Sequence, residues 1–204
     1  MQLNCVYSPE SETNRIQYTL GKYRWYKENG YRVNLPESLR VKVEHDERVD
    51  REEILDAVTK EFHRVEYDRA AKLLSTEFGL INENFTRELQ TLGGFIHHTY
   101  DVLITKYGVG GSYRHPNKIQ VNIDYGQTIS WVVCAHEIVH LTIEDWIREY
   151  KIDHWTKERI VDLIMFRFFP NTIALQKNGN ELGRVGELFD SYFPDIKRII
   201  KELR

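Results

Sequence analysis

The sequence predicts an α+β domain, on three observations. Residues 118-KIQVNIDY-125 alternate apolar and polar side chains, the pattern of a half-buried strand. On both sides of it, apolar residues recur at helical spacing, as in Ile54, Val58, Phe62 and Val65. The 204 residues are 41% hydrophobic and 29% charged, enough for one domain with a real core and too apolar for a disordered chain. A small mixed sheet flanked by helices accommodates all three.

Taken in order, residues 1–35 read as a strand-rich N-terminal extension. The stretch 15-RIQYTLGKYRWYKENGYRVNLPE-37 alternates aromatic and basic residues around Gly21 and Gly30, which predicts a hairpin or irregular strand pair. The segment 39-LRVKVEH-45 reads as a further short strand. Asp50 then caps a helix whose first turn carries Glu52 and Glu53, where the helix dipole favours acid. Its pattern continues through Leu74 and Phe78, with a break near Tyr67, and stops at Gly79. A second helix is expected over about 84–97, a buried strand over 100–108 and a turn-rich loop over 109–117. After the alternating strand, Gly126 marks its end and Thr128 or Ser130 offers a helix cap. One helix follows from about Trp131, another from Asp153 to Pro170, and a last amphipathic helix spans Leu188 to Leu203. The expected divisions are thus 1–35, a main domain over 36–170, and a C-terminal helical segment, 171–204, packed on it.

Composition excludes some function classes. A net charge of −3 gives no global attraction to nucleic acid or to acidic membranes. No apolar run approaches the roughly 20 residues that span a bilayer, and the N-terminus lacks a secretory signal pattern. Two cysteines, Cys5 and Cys134, form neither a CxxC pair nor a disulfide framework, which fits a reducing compartment; a cytoplasmic protein is the expectation. The aromatic-basic stretch near the N-terminus could stack single-stranded nucleic acid, but half-buried strands show the same alternation, so nucleic-acid binding is disfavoured.

The chemistry concentrates in 131-WVVCAHEIVHLTIEDW-146. His136 and His140 lie four apart, on one helix face, where two imidazoles can chelate one zinc ion. Glu137 is turned by about 100° and reaches not the ion but a water beside it. That is the logic of HExxH: two ligands plus a carboxylate that takes a proton from water. The apolar flanks, from Trp131 to Ile143, supply a dry and rigid frame. Burying two histidines and a glutamate there with no partner would cost about several kcal/mol.

Catalytic zinc takes three protein ligands and leaves one position for water. The longer metzincin motif fails, because Ile143 and Trp146 stand where it needs glycine and histidine. His154 on a loop, or a glutamate on the next helix, remains. In 153-DHWTKERIVDLI-164, Glu158 and Asp162 lie four apart on one face. The glutamate could face the ion while the aspartate supports a ligand histidine through its free ring nitrogen.

Together, 136-HEIVH-140 and 158-ERIVD-162 resemble the gluzincin pattern of thermolysin-like metallopeptidases. The resemblance covers about residues 100–165. It implies a zincin-like fold, one zinc ion held by His136, His140 and Glu158, Glu137 as general base and acid, and Asp162 as support. It also implies an edge strand lining the substrate cleft, a place that 118-KIQVNID-124 would occupy. Two departures are visible. Lys157 stands where larger members have asparagine, and too few residues follow Pro170 for their second domain. The chain is more similar to the compact minigluzincins.

The expected function is therefore a zinc metallopeptidase acting on peptide or protein substrates. A donor for the developing oxyanion is needed. Tyr150, between the two helices, is the first candidate, with Tyr113 and His115 behind it. Cys5 could in principle hold zinc in a latent form, but nothing around it beyond its residue type supports that, and Cys134 reads as a buried structural thiol. A zinc amidase acting on a non-peptide amide would use the same site, and a zincin-fold binding protein would keep the fold without the reaction.

Overall fold

A computed structural model describes residues 1–124, 130–173 and 183–204. Its centre is a four-stranded mixed sheet in the order β1-β2-β4-β3. β1 (Gln2–Val6) lies parallel to β2 (Thr99–Thr105), and β2 lies parallel to β4 (Lys118–Asn122). β3 (Gly111–Arg114) runs antiparallel to β4 and forms one edge. The rest is helical: α1 (Pro9–Leu20), α2 (Tyr23–Glu28), α3 (Glu37–Glu44), α4 (Arg51–Glu61), α5 (Arg64–Thr91), α6 (Ser130–Tyr150), α7 (His154–Phe168), α8 (Gly183–Tyr192) and α9 (Ile196–Glu202). No described helix is long and apolar enough to cross a membrane.

The N-terminal region departs from expectation. Apart from β1, residues 1–35 contain no strand-rich unit: α1 and α2 stand where a hairpin was expected. Ser8 closes a capping box with Ser11, and Pro9 with Glu10 begins the first turn, so the start of a helix is written there. Residues 39–45 are not a strand either. Leu39 and Val43, four apart, are buried while Val41 is exposed, which is the helical period of α3.

Asp50 caps α4 through a reciprocal capping box with Glu53, as the sequence predicts. The break falls at Phe62 and His63, not near Tyr67. α5 then runs unbroken past Gly79 and absorbs the second helix expected at 84–97. It stops at Gly93, which takes a positive φ of 74°. Gly94 follows because a Cβ there would stand 2.1 Å from the Thr142 carbonyl oxygen of α6.

Two cores result. The larger joins α5 through Leu74, Phe78 and Phe85, β2 and β4 through Val102, Ile104 and Ile119, and α6 through Ile138 and Val139. Phe189, Ile196, Ile199 and Ile200 of α8 and α9 complete it, so the described part of the C-terminal segment packs on the domain. It does so as two helices broken at Pro194, not as one. The smaller core gathers Ile16 of α1, Leu39 and Val43 of α3 and Ile54 and Val58 of α4. Glu12 joins α1 to the sheet and to α5. Its carboxylate accepts hydrogen bonds from the Tyr67 hydroxyl (2.6 Å), the Lys106 amide (2.9 Å) and the Thr105 hydroxyl.

The strand at 118–122 is present, but β3 lies outside it, so β4 is not the edge. The loop expected at 109–117 conceals that edge strand, four residues long. The expected cap at Thr128 and the strand end at Gly126 lie outside the described residues.

Candidate metal centre

The sequence itself starts α7, the helix that carries Glu158. Asp153 caps α7, accepting from the amides of Trp155 and Thr156, and this sets Glu158 in the second turn. α6 buries Cys134, Ala135, Ile138, Val139 and Ile143 in the main core, which turns His136 and His140 toward a cleft of about 850 Å³. α6 and α7 pack side by side, and α6 also packs on β3 and β4.

Three ligand atoms meet there. Nε2 of His140 lies 3.0 Å from Nε2 of His136 and 3.2 Å from Oε2 of Glu158, and His136 Nε2 lies 3.4 Å from that same oxygen. A tetrahedral zinc with bonds of about 2.0 to 2.2 Å holds its ligand atoms about 3.3 to 3.5 Å apart. The triangle matches within a few tenths of an ångström. Its donor set also suits a divalent cation: two imidazole nitrogens 3.0 Å apart can share only one proton between them. Among the described residues, His136, His140 and Glu158 form the one group of this kind.

The surrounding groups differ from expectation in instructive ways. Glu137 is buried, and its carboxylate lies against Gly111 of β3, where a Cβ would come within 2.5 Å of Oε1. Asp162 is buried near His136, but its Oδ1 stands 4.0 Å from Nδ1, a charge contact and not a hydrogen bond. His154, the alternative third ligand, is directed elsewhere: its Nε2 is 2.9 Å from the Tyr31 hydroxyl, and its Nδ1 is 3.6 Å from Glu158 Oε1. Tyr150 does not line the cleft; it packs against the main core. Ten residues beyond His140, it lies about 15 Å further along α6, too far to serve the site. Cys5 sits on β1, separated from the edge strand by β2 and β4, beside Ser75. Cys134 is a buried free thiol.

Of the other donor candidates, Tyr113 is well placed. Its ring stacks on His140 at 4.9 Å and 16°. Its hydroxyl donates to Glu144 at 2.6 Å and accepts from Lys157 Nζ at 3.1 Å. Glu144 is held in turn by Arg148 at 2.7 Å. His115 lines the cleft further out, 3.4 Å from Asp145. The sequence assigned no role to Lys157 or Glu144. Lys157 adjoins a ligand, but nothing in a single lysine distinguishes a surface charge from one folded over a tyrosine.

Electrostatics prepare the groups for these roles. Burial lowers the His140 imidazole to about 4, so it is neutral and ligand-ready at neutral pH. Burial also pushes His136 down, but Glu158, Glu137 and Asp162 outweigh it and raise the group. Burial would raise Glu158; the two histidines hold it instead well below the carboxylate range. Burial lifts Glu137 to about 7, against the pull of His136, Lys157 and Arg15. Near neutrality such a carboxylate can both take and return a proton. These directions belong to the metal-free chain, and a bound cation would lower them all.

No protein-family model, no curated protein and no solved structure matches this chain.

Proposed function

We propose that the protein is a zinc-dependent metallopeptidase of zincin type, acting inside the cell. The observation that carries this reading is the triangle of His136, His140 and Glu158 with the near-neutral carboxylate of Glu137 beside it. A zinc ion bound there would polarise the scissile carbonyl and make an attacking water acidic. Glu137 takes the proton of that water and delivers it to the leaving nitrogen. Tyr113 fixes the His140 ring by stacking and, with Glu144, holds its hydroxyl beside Lys157. The Lys157 ammonium, with protons to spare beyond the one it gives Tyr113, is then the donor that faces the developing oxyanion. It replaces Tyr150 in that role. Gly111 keeps the β3 backbone close to Glu137, leaving room for an extended peptide along the strand's open side.

Elemental analysis of protein purified without chelator is the test. One zinc per chain in wild type, its loss in Glu158→Ala, and peptide-library cleavage abolished in Glu137→Gln are the expected results. A folded wild type that stays empty after zinc is supplied refutes the reading.

A further inference from the structure

The aromatic stretch of the N-terminal region does not face away from the site; it forms one wall of the cleft that holds the metal triangle. Trp25 of α2 stacks on Tyr31 at 5.6 Å and 25°, and Tyr31 stacks on Trp155 of α7 at 6.4 Å and 12°. The Tyr31 hydroxyl, 2.9 Å from His154 Nε2, ties this wall to the first turn of α7. Trp155 lies three residues before Glu158 on the same helix, so their Cβ atoms are about 5–6 Å apart. The two tryptophans nevertheless stay open to solvent, 40% and 45% exposed. Aromatic surface is thus left bare one helical turn from a ligand position, where a bound side chain can cover it.

We infer that Trp25, Tyr31 and Trp155 form a subsite for an aromatic side chain next to the scissile bond of a peptide substrate. This rests on the metallopeptidase reading and deepens it. The geometry favours a peptide. The free edge of β3 runs along the same cleft and offers backbone hydrogen bonds, while the wall offers ring faces. A stacked nucleobase would need a cationic track for its phosphates. The cleft lining instead sets four Lys and Arg side chains against four carboxylates, so it carries no cationic excess of that kind. Trp25 and Tyr31 lie outside the stretch that resembles the gluzincins, so the preference belongs to this chain.

The test uses zinc-loaded Glu137→Gln protein, which leaves peptides intact, and capped hexapeptides differing at one position, Phe against Ala, scanned along the peptide. Fluorescence polarisation reads affinity, and elemental analysis reads zinc. Phe at one position is expected to bind about five- to tenfold tighter than Ala. That ratio falls below about twofold when Trp25→Ala or Trp155→Ala is added, with zinc content and thermal midpoint unchanged. Zinc bound with no aromatic preference at any position, or a preference that survives both substitutions, overturns the subsite and leaves the metallopeptidase reading standing. Salt-sensitive binding of a single-stranded oligonucleotide in place of the peptides overturns it too. Protein that takes up no zinc overturns the metallopeptidase reading, and this inference with it.

Discussion

Removing the Glu12 carboxylate tests how the helical N-terminal region is fastened to the half that carries His136, His140 and Glu158. Glu12 is fully buried and accepts from Tyr67, Thr105 and the Lys106 amide. In Glu12→Ala the Thr105 hydroxyl can turn to the Tyr107 carbonyl, already 3.3 Å away. The Tyr67 hydroxyl and the Lys106 amide have no such alternative among their hydrogen bonds and lose their acceptor. One buried and one part-buried donor at about 1–3 kcal/mol each, less the relief of no longer burying a carboxylate, give a net loss of about 2–4 kcal/mol. Glu12→Gln keeps one oxygen for Tyr67 and Lys106 and presents its amide to Thr105, so about 1 kcal/mol is expected. Burial, the largest influence, raises the Glu12 carboxyl despite its hydrogen bonds. Folded protein then holds the proton more tightly than unfolded chain, so this group's contribution falls as pH rises above the ordinary carboxylate range. Urea titrations of wild type, Ala and Gln forms measure all of this. An Ala variant within 1 kcal/mol of wild type, or a Gln variant worse than Ala, refutes the reasoning.

Further outcomes follow from the site. Lys157→Met should retain its zinc yet lose roughly 10²- to 10³-fold in kcat with little change in KM, as expected for a lost oxyanion donor; a fall confined to KM would remove Lys157 from that role. Gly111→Ala places a Cβ 2.5 Å from Glu137 Oε1 and 2.6 Å from Val133 Cγ1, for a cost of about 1–3 kcal/mol by chemical denaturation. An unchanged denaturation midpoint would show that β3 stands further from α6. In chelator, His140 (about 4 folded against 6.5) contributes stability that is full above pH 6.5 and is lost as pH falls through 4. Glu137 (about 7 folded against 4.5) acts in the opposite sense, its contribution full below 4.5 and lost as pH rises through 7. Metal-free Glu137→Gln should therefore lose stability more steeply than wild type between pH 6.5 and 4.5, by up to about 3 kcal/mol. Parallel curves would show that burial does not shift Glu137.

The candidate ligands were legible because helix geometry turns spacing into proximity. His136 and His140 at i, i+4 need only a helix to share a face, and Glu158 needs only the next helix to lie alongside. Asp50 and Asp153 declared their helices through capping chemistry that acts within one turn. The errors fell where period alone had to decide. Val41 and Val43 alternate like a strand, yet Leu39 and Val43 serve a helix, and only the contacts with α4 select the second reading. β3 was hidden because four residues beside a Gly-Gly pair carry too little periodic signal. Its partnership with β4 fixes the edge, and hence the strand beside Glu137. Tyr150 failed because lying between two helices in sequence says nothing of distance along them. Trp25 and Tyr31 could not be placed at all, since their position depends on how α2 folds over a cleft built a hundred residues later.

The pairing of β1 with β2 governs how the chain can assemble. Residues 2–6 meet residues 99–103 across a separation of nearly the whole first half of the sequence. The sheet's parallel centre, β2 with β4, waits in turn for residues 118–122. Closing such distant contacts costs chain entropy before any burial offsets it. On a ribosome, α1, α3 and α4 can form early and gather most of their small core, while the sheet must wait until its last strand has emerged. The metal triangle therefore belongs to the late steps of folding, and a nascent chain would expose the apolar face of α5 until the second half arrives.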